Sequence, residues 1–224
     1  MSVVVLLSGG MDSTISLYWA IDKYGKETIY PISFDYGQKH RSSELGAAAE
    51  VCIRLGLRDR WKVFKTDIFE ELEDSALLLT SQKSVNMESR FKGLPASYVP
   101  GRNIYFLTIA AMYAVAINGY TIVGGMCQMD YSGYPDCRGS FIGLMEAALS
   151  EGFPSCIMIE TPLMYKTKAQ SVILAKSLLG CMEALAWTHT CYEGMYPPCK
   201  KCNACKLREK GFSEAGISDP IFYR

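Results

Sequence analysis

The residues best suited to chemistry lie near the start of the chain, where 8–13 read Ser-Gly-Gly-Met-Asp-Ser. Gly9 and Gly10 allow the backbone to adopt positive φ and to approach a ligand without a Cβ in the way. The hydroxyl groups of Ser8 and Ser13 add donors beside the backbone N–H groups. An apolar run precedes the loop, so a strand, a glycine turn and a helix N-terminus follow one another, an arrangement that binds anions. The loop lacks the lysine of the P-loop and predicts a different kind of site for the phosphates of ATP.

A second group of residues, near the C-terminus, has the spacing of metal ligands. Cys191, Cys199, Cys202 and Cys205 form the pattern C-x7-C-x2-C-x2-C. Two C-x2-C steps bring three thiolates to one ion, and the first cysteine supplies the fourth. Four thiolates with no spare position are typical of closed, structural zinc sites, so we expect zinc here. An iron–sulfur cluster also takes four thiolates and is the alternative.

The elements that must position these residues follow from the apolar patterning, which alternates between strand-like and helix-like stretches. Strands are predicted at 3–7, 28–34, 60–65, 120–124 and 157–160, and helices at 13–24, 42–55, 103–118, 140–150 and 167–179. This alternation is typical of an α/β fold, an open parallel sheet with helices on both faces. The helix at 103–118 is apolar nearly all round, so we expect it to be buried.

Ligands of an open parallel sheet bind beyond the carboxyl ends of its strands. Four polar, glycine-containing segments follow predicted strands and should meet at this rim: 8–13, 35–40, 124–136 and the residues from 161 onward. Segment 74–100 has weaker periodicity and is interpreted as an excursion or lid. We expect a nucleotide-binding domain at 1–185 and a small four-cysteine, zinc-binding segment at 186–224.

Composition limits the functions that the chain can have. It has 224 residues, with 23 basic and 23 acidic side chains. Because broad nucleic-acid binding needs a basic surface, this balance argues against a nucleic-acid partner. No apolar run reaches the roughly 18 residues of a membrane span, and no signal peptide precedes the first strand. We therefore expect a cytoplasmic protein without a membrane contact, in which the nine cysteines are reduced.

The loop resembles the SGGxDS loop of the N-type ATP pyrophosphatases (PP-loop enzymes), which cleave ATP between the α and β phosphates and adenylate an oxygen. Five further segments narrow the resemblance: FDYGQKH at 34–40, VPGRN at 99–103, DYSGYPDCR at 130–138, TPL at 161–163 and the cysteine tail at 191–208. Together with the loop, and in this order, they closely resemble the 7-cyano-7-deazaguanine synthase family. The resemblance extends from residue 4 to about residue 212 and implies an adenine nucleotide alpha hydrolase-like, Rossmann-like fold.

The resemblance implies a ligase of queuosine biosynthesis that forms a carbon–nitrogen bond. Its substrates are 7-carboxy-7-deazaguanine, ammonia and ATP, and its product is the nitrile 7-cyano-7-deazaguanine. The carboxylate is adenylated, ammonia converts it to an amide, and a second activation removes the remaining oxygen. The implied cofactors are ATP with Mg²⁺ and a structural Zn²⁺. We also expect a homodimer.

The nucleotide site is predicted from the loop, the first turns of the following helix and the end of the second strand. It comprises Leu7, Ser8, Gly9, Gly10, Met11, Asp12, Ser13, Thr14, Ile15, Ser16, Leu17, Asp35 and Gln38. Asp12 either holds Mg²⁺ or caps the helix. Of Lys166 and Lys168, which open a later helix, we prefer Lys168 for neutralising pyrophosphate, against a solvated lysine pair. The residues predicted to be catalytic are Asp12, Ser13, Lys168 and Arg102.

The substrate site is predicted from five residues. Arg102 is suited to pair in bidentate fashion with a carboxylate or phosphate. Asp130 and Asp136 are acceptors suited to the guanidine-like edge of a deazaguanine, and Tyr134 is suited to stacking on its ring. Asn103 completes the set. A turn-forming role is the alternative for Asp136.

Two other functions are alternatives to this interpretation of the sequence. The first is a PP-loop enzyme that activates a tRNA base for sulfur transfer, against which the neutral charge argues. The second is a zinc-stabilised nucleotide-binding module without catalysis, against which Asp12 and the other rim residues argue. The sequence assigns no role to His40 or His189, and Gln128 stands where an acidic residue is common in the family.

Overall fold

The computed structural model describes residues 1–72, 75–83, 90–129 and 133–223. Five parallel strands form one sheet in the order β3-β2-β1-β4-β5. The strands are β1 (Ser2–Leu6), β2 (Ile29–Asp35), β3 (Lys62–Lys65), β4 (Gly119–Val123) and β5 (Met158–Glu160). The predicted open parallel sheet is confirmed.

Helices cover both faces of this sheet. They are α1 (Met11–Tyr24), α2 (Arg41–Leu55), α3 (Ile68–Leu72), α4 (Arg102–Ala116), α5 (Gly139–Gly152), α6 (Lys168–Ser177), α7 (Cys181–Leu185) and α8 (Asn203–Ala215). Helices α4 and α5 pack on one face, whereas α1, α2, α6 and α7 pack on the other. The sheet thus lies between two layers of helices, which is the α/β fold class that the alternating pattern predicts.

The central strand shows why its sequence is apolar without interruption. Val3 and Val5 point into the core beneath α1, while Val4 points into the core beneath α4, and all three are almost fully buried. A strand that is covered on both faces needs apolar side chains at every position, not at alternate ones. Strand β1 and the loop that follows it are therefore anchored at the middle of the molecule.

The predicted elements agree closely with the observed ones. All five predicted strands and all five predicted helices are present, and no boundary differs by more than two residues. Helices α3, α7 and α8 were not predicted. Helices α3 and α7 have five residues each, which is too few to show a helical period. Helix α8 lies in the cysteine tail, where the sequence pattern indicates metal ligands.

The expectation that the helix at 103–118 is buried holds only for the side that faces the sheet. Leu107, Ala110 and Ala114 of α4 are fully buried against the sheet. On the opposite side, Ile104 is 47% exposed and Met112 is 54% exposed. A helix in an outer layer touches the sheet with one side only, so its apolar outer side remains uncovered in a single chain.

The described parts of segment 74–100 pack against the end of β2. The carbonyl of Leu77 accepts from the Lys39 N–H at 2.8 Å, and the Leu79 N–H donates to Gly37 at 2.8 Å. Ala76, Leu77 and Leu78 are buried in the core. These contacts fit an excursion of the main domain, and the lid interpretation stays a prediction.

The strand order creates a crevice at the centre of the sheet. From β1 the chain moves outward to β2 and β3, and it then returns to β4 on the other side of β1. The loops after β1 and β4 consequently diverge, which is where ligands of such sheets bind. Among the described residues, no helix has the length and apolar character needed to cross a membrane.

Candidate functional site

The glycine loop is held in shape by its own side chains. Ser13 Oγ donates to the carbonyl of Gly10 at 3.0 Å and accepts from the Ser8 N–H at 3.2 Å. Gly9 has a φ of 83°, and a Cβ at this position would lie 2.3 Å from the carbonyl oxygen of Glu44. Glycine is therefore required here both by the turn and by the close approach of α2.

Asp12 is paired with a lysine from a distant part of the chain. Its Oδ2 accepts from Lys168 Nζ at 2.5 Å, which connects the loop with α6. Its Oδ1 is buried and has no hydrogen-bond partner among the described residues. Helix α1 begins at Met11 with Gly10 as its N-cap, and no side chain caps it, so the alternative that Asp12 caps the helix is wrong. The carboxylate instead keeps one oxygen available at the positive end of α1.

Lys168 is positioned by two separate features. Thr167 Oγ1 accepts from the Gln170 N–H and Gln170 Oε1 accepts from the Thr167 N–H, a capping box that fixes the start of α6. Helix α8 passes so close that a Cβ on Gly211 would lie 2.7 Å from the Cβ of Lys168. Lys166 lines a different depression, between α5 and α6. The structure thus brings Lys168, and not Lys166, to the loop.

One cavity of about 320 Å³ lies at the carboxyl ends of the central strands. The predicted site residues that line it are Leu7, Ser8, Gly10, Met11, Asp12, Ser13, Gln38, Arg102, Asn103, Tyr134 and Lys168. Residues from the loop, from the end of β2, from the segment after β4 and from α6 therefore meet in one space. The prediction that the four polar segments share one rim of the sheet is confirmed for the described residues.

Arg102 contributes a positive charge to this cavity. Its Nη1 donates to the Tyr36 hydroxyl at 3.4 Å. Burial alone would lower the pKa of Arg102, but the neighbouring Tyr36, Tyr134 and Asp136 hold that pKa above its ordinary value. The guanidinium group accordingly stays charged and is suited to an anionic ligand.

Asn103 and Asp136 bind each other. Asp136 Oδ2 accepts from the Asn103 N–H at 3.1 Å, which satisfies a donor in the first turn of α4. The Asn103 side chain donates to the Asp136 carbonyl at 3.0 Å. Asp136 Oδ1 is buried and has no partner among the described residues. The turn-forming role of Asp136 is thus present. Asp136 itself does not line the cavity, although its neighbours Tyr134 and Cys137 do, so contact of its second carboxylate oxygen with a ligand stays a prediction.

Tyr134 stands in the same wall as Arg102. Its hydroxyl lies 2.7 Å from Ser97 Oγ, and its ring lies 5.5 Å from the ring of Tyr98. Burial raises the pKa of the Tyr134 hydroxyl, so the group remains neutral. A fixed, neutral aromatic ring at the cavity is suited to contact with a flat heterocycle.

Several predicted site residues are not placed at the cavity. Thr14, Ile15, Ser16 and Leu17 are buried inside α1 and do not line it, because only the first turn of the helix reaches the crevice. Gly9 supports the loop from behind. Asp35 faces Arg41, at 3.8 Å, outside the cavity. Asp130 lies outside the described residues.

Gln38 and Gln128 serve the local structure. Gln38 accepts from the Tyr36 N–H at 2.9 Å and donates to the Phe34 carbonyl and to Glu44, which fixes the turn after β2. Gln128 Oε1 accepts from the Gly139 N–H at 2.9 Å at the start of α5. A neutral amide at 128 therefore satisfies a helix donor, and contact of Gln38 with the nucleotide stays a prediction.

The four cysteines of the tail converge. Their sulfur atoms all lie within 4.8 Å of one another, and Cys191, Cys202 and Cys205 are buried. The backbone N–H groups of Lys201 and Cys202 both point at Cys199 Sγ, at 3.4 Å. Donors aimed at a sulfur favour its thiolate form, which is the form that binds metals. The geometry confirms a possible metal site at the predicted residues.

The cysteine segment also forms part of the cavity wall. Thr190, Tyr192, Ala204, Leu207 and Arg208 line the cavity beside the glycine loop. The His189 N–H donates to the Gly9 carbonyl at 2.8 Å. The division of the chain at 185 and 186 stays a prediction, but the tail packs directly on the loop.

The sequence analysis assigns no role to His40 and does not single out Glu44, yet the two residues form a pair at this cavity. His40 Nε2 lies 3.3 Å from Glu44 Oε1, and both residues line the cavity. The sequence offers two signals: the spacing of four residues at a helix start, which is common on ordinary helix surfaces, and the position of His40 at the end of the FDYGQKH segment. Their position beside the loop depends on the packing of α2 against Gly9 and was not visible in one sequence.

Comparison with solved structures gives two distant similarities. A U34-tRNA thiolase, NcsA from Methanococcus maripaludis with its [4Fe-4S] cluster, is 14% identical with a TM-score of 0.49, covering 96% of this chain and 67% of that one. A 4-thiouridine synthetase in complex with RNA and bound ATP is also 14% identical, with a TM-score of 0.47, covering 96% of this chain and 50% of that one.

Comparison of sequences gives a much closer relationship. The 7-cyano-7-deazaguanine synthase of Chromobacterium violaceum is 44% identical over 221 residues, which cover 99% of this chain and 93% of the relative. The enzyme of the same name from Laribacter hongkongensis is 43% identical and covers 99% of this chain and 94% of the relative. The family model of the queuosine biosynthesis protein QueC matches residues 2–216. The chain belongs to the QueC family.

Proposed function

We propose that this protein converts 7-carboxy-7-deazaguanine and ammonia to 7-cyano-7-deazaguanine at the expense of ATP, as a carbon–nitrogen ligase of queuosine biosynthesis. The full-length similarity to synthases of this name supports the proposal. The observation that carries it in the structure is the single cavity that contains both the Asp12–Lys168 pair and Arg102. A nucleotide and a second anion can therefore lie side by side.

The chemistry requires such an arrangement. A carboxylate is a poor electrophile, and adenylation converts one of its oxygens into a leaving group. Ammonia then displaces AMP to give an amide, and a second adenylation followed by loss of AMP gives the nitrile. Two anions must be held together while negative charge develops between them, which fixed positive groups and backbone donors favour.

The nucleotide is assigned to the loop and to the start of α1. Ser8, Gly10 and Ser13 provide donors for the phosphates at the positive end of the helix. Asp12 would hold the Mg²⁺ that accompanies ATP, because its unpartnered Oδ1 is a hard oxygen ligand. Bound there, the ion would neutralise phosphate charge. Lys168, already beside Asp12, is placed to pair with the pyrophosphate that leaves.

The deazaguanine is assigned to the part of the cavity that Arg102 and Tyr134 line. Arg102 pairs with its carboxylate, and Tyr134 contacts its ring. Asp136 accepts from its donor edge through the oxygen that is not occupied by Asn103. Asp130, in the neighbouring segment, is proposed as a second acceptor.

The cysteine tail is proposed to hold one structural Zn²⁺. With a Zn–S distance near 2.3 Å, a tetrahedral site spaces its sulfurs roughly 3.8 Å apart. The observed Cys199–Cys205 sulfur distance is 3.9 Å. A four-iron cluster would space the thiolates further apart, because each binds a different iron atom. This compactness supports zinc over the cluster.

The assembly and the location are part of the proposal as well. The uncovered apolar side of α4 contains Ile104 and Met112, and Leu144 of the neighbouring helix α5 is 73% exposed. A homodimer that covers this surface would remove exposed apolar area from water. A cytoplasmic location is supported by the nine cysteines, all of them free thiols. No nucleic-acid partner is proposed, because the net charge is zero.

The experiment that tests the function is mass spectrometry of a reaction containing the acid, ammonium and MgATP. We expect a product with the mass of the nitrile, and its formation should require both ammonium and ATP. Absence of the nitrile together with acid-independent ATP turnover would contradict the proposal. Retention of labelled tRNA would instead favour the sulfur-transfer alternative.

A further inference from the structure

Beside the glycine loop, a buried histidine holds one nitrogen without a partner. His40 is 5% exposed, and its Nδ1 has no hydrogen-bond partner among the described residues. A buried polar atom left unpaired costs stability, so a native structure that keeps one calls for a functional reason. His40 lines the same cavity as Asp12 and Arg102.

The other nitrogen of His40 is oriented by a carboxylate. Nε2 lies 3.3 Å from Glu44 Oε1, and Glu44 Oε2 accepts from Gln38 Nε2 at 3.1 Å. Burial alone would raise the pKa of Glu44, but the contacts with His40 and Gln38 and the charge of Arg102 hold it below its ordinary value. Glu44 is thus ionised and takes the Nε2 proton of His40 as a hydrogen bond. The lone pair of a neutral imidazole then resides on Nδ1.

The position of this pair relative to the loop is fixed by the backbone. Gly9 contacts the carbonyl of Glu44 so closely that any Cβ at this position would collide with it. The His40 ring also lies 6.4 Å from the His189 ring and 5.8 Å from the Tyr192 ring. The His189 backbone N–H is bonded to Gly9. A carboxylate, an imidazole and a vacant lone pair therefore stand next to the phosphate loop in the arrangement of a general base.

We infer that His40, oriented by Glu44, is the base that removes protons from the attacking nitrogen, an inference that rests on the proposed function. When ammonia attacks the adenylated carboxylate, the C–N bond forms, the C–O bond to AMP breaks with its electron pair, and one N–H proton passes to Nδ1. When the amide oxygen is then adenylated, pyrophosphate leaves and a second N–H proton passes to Nδ1, which gives a neutral imidate. When this adenylated imidate collapses, the last N–H proton passes to Nδ1, the C–O bond to AMP breaks with its electron pair, and the C–N triple bond is completed. Each proton is released to water between the steps.

The test compares two nucleophiles. Ammonia forms an adduct that needs a base, whereas hydroxylamine forms a far more acidic adduct that loses its proton to water. His40→Gln retains a donor to Glu44 but has no basic nitrogen. We expect it to lower ammonia-dependent amide formation by about 100-fold or more, the usual contribution of a general base. Hydroxamate formation from the acid and hydroxylamine should change less than about threefold, since it needs no such base.

Two further variants separate this role from a structural one. Glu44→Gln should lower the ammonia rate by a smaller factor than His40→Gln, because it disorients the base without removing it. Lys39→Ala, an exposed neighbour of His40 on the same turn, is the matched control and should leave both rates unchanged. An equal loss with both nucleophiles, or an unchanged ammonia rate in His40→Gln, would overturn the inference. A native protein that forms neither hydroxamate nor AMP from the acid would instead count against the proposed function itself.

Discussion

Two ion pairs, Arg208–Asp219 and Asp12–Lys168, each contribute at least one residue to the cavity wall, and they differ in how completely their hydrogen bonds are satisfied. In the first, Asp219 accepts from Arg208 with both oxygens, at 2.7 and 2.8 Å, and the same guanidinium also reaches Thr188 and Thr190. In the second, Asp12 accepts from Lys168 with one oxygen, and its other oxygen is buried without a partner.

We interpret the Arg208–Asp219 pair as a support of the fold and the Asp12–Lys168 pair as part of the proposed nucleotide site. The acid side chain of the first pair is 9% exposed, and the acid side chain of the second is 28% exposed. Removal of one member of a saturated buried pair leaves an uncompensated charge and costs stability. Removal of an incompletely bonded acid at a cavity should cost activity instead.

The largest effect is expected from loss of the zinc that we propose for the four cysteines. Helix α8 carries Arg208 and begins next to the cysteine ligands, so removal of the metal should unfold the tail. Cys199→Ser should aggregate or unfold at a markedly lower temperature in a thermal scan. The native protein should contain about one zinc per chain by elemental analysis. Iron with visible absorption would show that the alternative cluster is present.

The next largest effect is expected on turnover, from removal of the acid of the Asp12–Lys168 pair. Asp12→Ala should lower kcat by about 1,000-fold or more, equivalent to about 4 kcal/mol of barrier, because it removes a proposed Mg²⁺ ligand. Its far-UV circular dichroism should remain native. A loss below about tenfold, roughly 1.4 kcal/mol, would mean that Asp12 only orients Lys168.

Removal of the acid from the Arg208–Asp219 pair should instead lower stability and leave turnover nearly unchanged. Asp219→Ala should lower the free energy of unfolding by about 3 kcal/mol, because Arg208 loses both bonds to its carboxylate. The expected fall in Tm is about 6 to 12 °C for a chain of this size. The kcat of the remaining folded protein should stay close to that of the native enzyme. A stable variant with abolished turnover would contradict the structural role.

The smallest effect is expected at Asp136, which has one hydrogen-bonded carboxylate oxygen and one buried oxygen without a partner among the described residues. Asp136→Asn keeps an acceptor for the Asn103 N–H but removes the charge from the second oxygen. The Michaelis constant for the acid should rise, or kcat should fall, by about 10-fold to 100-fold, the contribution of one charge-assisted hydrogen bond. The Michaelis constant for ATP should hardly change. A rise in the ATP constant alone would assign this segment to the nucleotide.

The sequence predicted those parts of the molecule that depend on local pattern. The apolar run of β1, the glycine loop and the cysteine spacing are contiguous in the chain, and each was found at its predicted place. Lys168 was preferred over Lys166 from the sequence, and the capping box of α6 places it beside Asp12.

The remaining features depend on contacts between distant segments. The tertiary capping of α4 by Asp136 and the position of Glu44 behind Gly9 arise only when the elements pack. The same is true of Arg208, whose acid partner lies eleven residues away beyond the end of α8. The exposed side of α4 was not foreseen, because an apolar sequence alone does not show which side meets the sheet.

The most direct test of the proposed chemistry follows the two carboxylate oxygens. The acid, labelled with ¹⁸O at both positions, is incubated with ammonium and MgATP, and AMP is analysed by mass spectrometry. If each oxygen is removed by adenylation, two molecules of AMP form per nitrile and each carries one ¹⁸O. Unlabelled AMP, or ADP and labelled phosphate in its place, would contradict activation of the carboxylate and the amide by adenylation.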